Sequence, residues 1–353
     1  MTKRTNGAST RALTTILTVT NVFSFVLGVS VAGGFAVARV ASPNPAARPQ
    51  ATAARTGVTA ARAKATTTHA KKKHVAVRGS AVLAASAVAQ NGGNAAALLD
   101  LPIAGKGMWI WQFDKIAHGN PKRIVDYAVS HGLSHIYVRS GSSTVGLRGW
   151  NDVVRILPVA HRRGLKVIAW DFPYLRDPSA DVRRAAWVLS RTVHGGHSVD
   201  GFAADLETRS EGTVLTRGRA QRYSRGLRAA AHGKFIVLVP PRPNPYTVSF
   251  YPYDVTVPYF DAVAPMVYWG RRSPVETARW AIDYLGRFRK PVAPIGQSFD
   301  MGPEGGPKGP PGGKAVINFM TESALRGAVG VSFWSWQHTP ARLWHTIATY
   351  RWK

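Results

Sequence analysis

Residues 200–207 read Asp-Gly-Phe-Ala-Ala-Asp-Leu-Glu. The short apolar run Gly201–Leu206 opens on a turn pair and has the length of a buried strand. Side chains alternate along a strand, so Asp205 and Glu207 share one face. Phe202, Ala204 and Leu206 take the other, toward whatever packs on the sheet. Two carboxyls placed together at a strand end repel. One of them keeps its proton at neutral pH, which is what a general acid needs.

Working outward, the run is one of a series. Strand patterns recur at Met108–Trp111, His135–Arg139, Lys166–Trp170, Gly201–Leu206, Phe235–Val239, Ala262–Tyr268, Val292–Gly296 and Val329–Trp334. Amphipathic stretches of helical length lie between them, near Pro121–Ser130, Asn151–Arg162, Ala180–Val193, Arg217–Ala231, Pro274–Phe288, Ala315–Arg326 and Pro340–Tyr350. The stretch after Val239 is rich in proline and only weakly helical. Strands alternating with helices over a span of about 250 residues predict an α/β fold, a (β/α)8 TIM barrel over 106–353. A doubly wound sheet fits less well, because no Gly-rich fingerprint follows the first strand.

In such a barrel the active site lies at the C-terminal ends of the strands. The residues there are Trp111, Gln112 and Asp114 after strand one, and Trp170, Asp171 and Tyr174 after strand three. Asp205 and Glu207 follow strand four, Tyr268 and Trp269 strand six, Gln297 and Asp300 strand seven. Trp334, Trp336 and Gln337 follow strand eight. Indoles stack on the apolar faces of sugars, while carboxylates and amides bond hydroxyls. The rim therefore has the composition of a carbohydrate cleft. Glu207 and Asp205 are the catalytic candidates. Trp111, Asp171, Trp269, Gln297, Trp334 and Trp336 are the substrate-binding ones.

The segment 200–207 resembles the strand-four signature of glycoside hydrolase family 18, the chitinases and endo-N-acetylglucosaminidases, which reads Asp-Gly-x-Asp-x-Asp-x-Glu. Met266-Val267-Tyr268 resembles its strand-six Met-x-Tyr element. Gly330-Val331-Ser332-Phe333-Trp334 resembles its strand-eight segment. The resemblance implies that Glu207 protonates the leaving glycosidic oxygen, and that Asp205 holds a substrate N-acetyl group as it attacks the anomeric carbon. It also implies that Tyr268 hydrogen-bonds that group and that Trp334 lies under the sugar ring. The chain departs from the family at Ala203, where the inner Asp stands, and at Trp269, where an acid commonly follows the Tyr. It departs again around Lys166–Trp170, where Ser-x-Gly-Gly is missing. These departures leave open an ordinary two-acid mechanism with Asp171 or Asp300 as second carboxylate, and a barrel that binds glycan without cleaving it.

The N-terminal part differs in texture. Lys3, Arg4 and Arg11 precede a mostly apolar run, Leu13–Val40, with Ala36-Val37-Ala38 as a small-x-small site. Residues 1–40 thus read as a signal peptide or membrane anchor, cleaved or retained. Residues 41–105, rich in Ala, Thr, Lys and Arg, read as a disordered spacer. The protein is expected outside the cell, secreted or anchored to the membrane by this segment.

The chain has 353 residues, 46 Lys+Arg against 18 Asp+Glu, and a formal charge of +28. From residue 106 on, basic residues still outnumber acidic ones by about two to one. That excess fits an anionic cell-wall polymer. The export signal and the lack of any nucleic-acid module argue against nucleic acid. There is no cysteine, which excludes thiol nucleophiles, disulfides and Cys-ligated metals. No serine-hydrolase elbow, His-Glu-x-x-His or phosphate loop occurs, and His194 and His197 have no metal-site spacing. No cofactor or metal is expected. Gly302–Lys314 reads as a mobile loop beside the cleft. The expected product is a monomeric glycosidase acting on an N-acetylhexosamine polymer such as peptidoglycan or chitin.

Overall fold

The computed structural model describes residues 94–352. The expected export segment and most of the expected spacer lie outside the described residues. The chain runs α1 (Asn94–Leu99), β1 (Gly105–Ile110), α2 (Pro121–Ser130), β2 (His135–Ser142), α3 (Trp150–His161), β3 (Lys166–Phe172), α4 (Pro178–Ser190), β4 (Gly201–Asp205), α5 (Arg217–Ala230), β5 (Ile236–Val239), α6 (Pro245–Val248), α7 (Tyr253–Thr256), β6 (Ala262–Val263), β7 (Met266–Val267), α8 (Pro274–Gly286), β8 (Ile295–Gln297), α9 (Gly313–Leu325), β9 (Gly330–Trp334) and α10 (Ala341–Thr349). No helix among the described residues is long and apolar enough to cross a membrane.

The helices start where short polar side chains satisfy bare backbone N–H groups. Asn120, Asp177, Thr216 and Ser273 each accept from the first turn of α2, α4, α5 and α8, and Pro121, Pro178 and Pro274 supply preset φ angles there. Between helices the strands pair in parallel, in the order β6-β5-β4-β3-β2-β1-β9-β8-β7. The expected sixth strand, Ala262–Tyr268, is split into β6 and β7. Pro265 has no N–H for the ladder, so regular pairing breaks there. Hydrogen bonds still cross on both sides: Ala264 N–H to Leu238 O (2.8 Å) toward β5, and Ile295 N–H to Pro265 O (2.9 Å) toward β8. β6 and β7 are thus two halves of one stave. The sheet closes on itself as an eight-stave α/β barrel.

Alternation sorts the side chains into two layers. Phe202, Ala204 and Leu206 are buried in the large layer between sheet and helices. Ala203 is buried in the barrel interior with Trp109, Tyr137, Ile168, Trp170, Val237 and Ile295. Trp109 and Tyr137 stack inside at 4.0 Å between ring centroids, 4° from parallel. The two buried indole N–H groups are satisfied: Trp109 donates to Ser332 Oγ (2.9 Å) and Trp170 to Ile110 O (3.1 Å).

The opposite end is closed by the segment ahead of β1. Ile103 is fully buried against the interior, with Leu98 and Leu101 packed beside it. The folded part therefore begins before residue 106, inside the stretch expected to be spacer. Leu98, Leu101 and Ile103 supply the apolar surface that this short stretch buries. Beside it Lys106 is buried, and its ammonium donates to Ile347 O (2.6 Å), Ala348 O (3.2 Å) and Tyr350 O (2.8 Å). These are carbonyls at the end of α10, which have no partner within the helix. The first stave is thus tied to the last helix.

Candidate active site

β4 delivers Asp205 and Glu207 to the mouth. Asp205 is the last residue of the strand, level with Val239 of β5. Beyond it Leu206 N–H still bonds Val239 O (3.0 Å), and Leu206 O accepts from the Tyr251 hydroxyl (2.8 Å). The same Leu206 N–H also bonds Ala204 O (3.0 Å), a tight turn at Asp205, and Glu207 still reaches the cavity that Asp205 lines. Both line one cavity of about 350 Å³ and are 4% and 5% exposed.

The cavity is walled by rings and acids. Trp109 forms part of its floor. Trp111 and Trp334 stand above, with ring centroids 6.5 Å apart. Tyr268 and Phe299 meet edge-to-face at 5.2 Å on the far wall. Asp300, Glu304 and His338 complete the polar lining.

Burial dominates the electrostatics. It raises the Glu207 carboxyl well above its ordinary range, and the nearby charges of Asp205, Glu211 and Glu304 add to the shift. Asp205 is pushed up to about 8, again first by burial, with Arg139 on β2 pulling the other way. Asp205 Oδ1 is buried and has no hydrogen-bond partner among the described residues. The phenol of Tyr268 is held protonated by burial and by the Glu207 and Asp205 charges. At neutral pH the site therefore holds a proton ready to donate in a poorly solvated, ring-lined space.

Four of the residues read as substrate contacts lie elsewhere. Asp171 points away from the barrel interior, in step with Val167 and Ala169. It is buried against α4, where Arg184 Nη2 donates to Oδ1 (2.8 Å) and Nε to Oδ2. Trp269 is buried in the outer layer, its ring 5.4 Å from that of Phe319 on α9. Trp336 also packs outward, 4.8 Å from the Trp344 ring on α10. Gln297 is buried and occupied by backbone, accepting from Gly270 N–H (3.0 Å) and donating to Phe299 O (3.4 Å). The remaining five candidates, Asp205, Glu207, Tyr268, Trp111 and Trp334, converge on the cavity.

Two polar liners escaped the sequence reading. Glu304 sits on the short turn Gly302–Glu304 after β8. Its carboxyl is pushed up to about 7 by burial, then by Asp300 and Glu211. Its Oε2 is buried with no hydrogen-bond partner among the described residues. His338 lies 6.0 Å from the Trp111 ring and shares a hydrogen bond with Ser335 Oγ (2.8 Å). Asp300, expected as a possible second acid, is engaged with the loop. Its Oδ1 accepts from Gly302 and Gly309 N–H, both at 2.7 Å. Arg342 holds the same loop at Pro310 O and Pro311 O. His194 and His197 take no part. His197 pairs with His161, which bonds Asp200 at 2.9 Å. No group of three or more His, Asp or Glu side chains suited to a metal ion occurs among the described residues.

No protein-family model matches the sequence, and no curated protein matches it. Solved structures do match in fold. The chitinase from Chromobacterium violaceum is 12% identical with a TM-score of 0.52, over 69% of this chain and 98% of that one. The β-galactosidase from a psychrophilic Marinomonas is 11% identical with a TM-score of 0.56, over 69% of this chain and 58% of that one. The endo-1,4-β-mannanase from Rhizomucor miehei is 10% identical with a TM-score of 0.51, over 66% and 86%. This chain is similar in fold to chitinases and other barrel glycosidases.

Proposed function

We propose that the protein is a glycoside hydrolase that cleaves an N-acetylhexosamine-containing polysaccharide, of peptidoglycan or chitin type, with Glu207 as general acid. One observation carries the reading: two buried, proton-retaining carboxyls project from the end of β4 into a cavity walled by Trp111, Trp334 and Tyr268. Fold neighbours that include a chitinase, a β-galactosidase and a mannanase support it.

In the mechanism, the Glu207 proton passes to the glycosidic oxygen as its bond to the anomeric carbon breaks. The carbonyl oxygen of the sugar's own N-acetyl group attacks that carbon and closes a cyclic intermediate. Asp205 and Tyr268 hold the group in place. Water then opens the ring, and its proton returns to Glu207. This route needs no protein nucleophile. The test is release of reducing ends from peptidoglycan and chitin by the purified protein, compared with Glu207→Gln. Equal cleavage by the two sinks the assignment.

A second reading is a wall-binding protein on the same barrel that does not cleave. Ala203 favours it: a fully buried methyl stands where the resembled family has its inner acid. It predicts retention on insoluble wall or chitin, no reducing ends, and binding that survives Glu207→Gln. Under either reading the protein acts outside the cell, delivered by residues 1–40, and its basic surface holds it on anionic wall polymer. Cell fractionation with and without residues 1–40 tests the delivery.

A further inference from the structure

A second groove, of about 890 Å³, opens from the aromatic cavity. The two share Glu207, Met266, Tyr268 and Glu304. Their chemistry differs: rings line the first, while four arginines, Arg209, Arg217, Arg242 and Arg272, line the second. Two of the four are occupied. Arg217 pairs with Asp254 (Nη1–Oδ1 2.8 Å), and Arg209 Nε donates to Leu215 O (2.9 Å).

Arg242 and Arg272 have no carboxylate within ion-pair distance among the described residues. Arg242 is half-buried, and its guanidinium is pulled down by that burial and by the charge of Arg272. Glu211, the acid special to this groove, is engaged by Thr208 and Ser210. Arg242 also stands on a stiff mount. Pro241 and Pro243 flank it and fix their own φ angles. Its carbonyl accepts from Thr247 Oγ1 (2.8 Å) and Asn244 Nδ2 (3.5 Å). Both guanidinium groups line this one groove, Arg242 half-buried and Arg272 exposed, and their forked geometry matches carboxylate or phosphate oxygens.

We propose that Arg242 and Arg272 form a subsite for an anionic substituent, a carboxylate or a phosphate ester, on the glycan unit next to the bond addressed by Glu207. The substrate is then an acidic glycan rather than a neutral one. The inference rests on the glycosidase reading for its position relative to the cleaved bond. It does not need cleavage to be tested.

Binding is measured by calorimetry with the full chain carrying Glu207→Gln. The probes are a carboxylate-bearing oligosaccharide, the same sugar with its carboxyls reduced to alcohols, a phosphate-bearing oligosaccharide, its dephosphorylated form, and a neutral N-acetylglucosamine oligomer. At least one anionic probe should bind about tenfold or more tighter than its neutral counterpart, and which one does so identifies the substituent. Arg242→Gln with Arg272→Gln should abolish that preference and leave the neutral oligomer unaffected. Arg222→Gln with Arg225→Gln, which removes the same charge from the exposed face of α5, should preserve it. Equal binding of charged and neutral probes overturns the proposal, as does a preference lost equally in both double variants. A preference that depends on Arg242 and Arg272, in a wild-type protein that cleaves nothing, leaves the subsite standing and removes the glycosidase.

Discussion

Asp171 and Arg184 form a buried two-pronged ion pair between the end of β3 and α4, with Asp181 as a third member at 2.9 Å from Arg184. Asp181 in turn accepts from Ser143 Oγ and from Leu175 N–H. The network fastens the β3 loop to the helix behind it. Removing one partner of a buried pair leaves the other charge unsatisfied, at a cost of about 3–5 kcal/mol. Asp171→Ala should lower unfolding stability by that amount in urea titration, whereas any protein that remains folded should keep its activity per molecule.

Glu207→Gln keeps the side-chain shape and removes the proton. Cleavage should fall by about 10²–10⁴-fold, the usual contribution of a positioned acid. The melting temperature should not drop, because a buried carboxyl held protonated by its surroundings is replaced by a neutral amide. A large loss of thermal stability in this variant would contradict the geometry.

The raised carboxyls also fix the sign of the pH response. A carboxyl held at about 8 in the native state, against about 4 unfolded, binds its proton more tightly when folded. Its native-state advantage is present at low pH and is lost as pH climbs from about 4 toward 8. Each pH unit in that window is worth up to about 1.4 kcal/mol. Asp205→Asn should therefore match wild type near pH 4 and exceed it in melting temperature near pH 8.

Glu304 acts on Glu207 through space, since its charge helps hold the Glu207 proton. Glu304→Gln should move the alkaline limb of the pH–rate profile to lower pH. Asp300→Asn should instead loosen the loop that Asp300 fastens at Gly302 and Gly309. The expected readout is faster proteolysis within 301–312.

The indoles divide into structural and ligand-facing ones. Trp109 is 1% exposed and stacked on Tyr137, so Trp109→Ala should cost about 3–5 kcal/mol of stability. Trp111 is only partly buried at the mouth. Trp111→Ala should leave the melting temperature nearly unchanged and weaken glycan binding in the same calorimetric assay.

Much of this was readable from residue order. Period-two alternation separates Asp205 and Glu207 from Phe202 and Leu206, and the structure follows it. The same rule, applied to Lys166–Trp170, turns Trp170 inward and Asp171 outward. That sign was available for Asp171, but its partner Arg184 lies on the next helix, and local sequence does not show such pairings. The break at Pro265 was likewise visible, because proline cannot complete a ladder. Glu304 was not legible. It sits in a Gly- and Pro-rich turn with no periodicity, brought to the cavity by the grip of Asp300 on two distant amides. Trp269 was misplaced because one residue of advance past Tyr268 turns the ring from the mouth to the outer layer, and Trp336 because β9 ends at Trp334, so alternation no longer governs the residues beyond it.

The Lys106 contact has a consequence for how the molecule is made. Its carbonyl partners arrive 241, 242 and 244 residues later in the chain, and the open side of β1 finds β9 only slightly sooner. Until β9 has been made, the first stave presents an unpaired ribbon edge that another nascent copy can zip onto. A chain released before β9 is made should therefore clump, whereas one that carries residues 330–349 has both the strand that covers this edge and the carbonyls that hold Lys106.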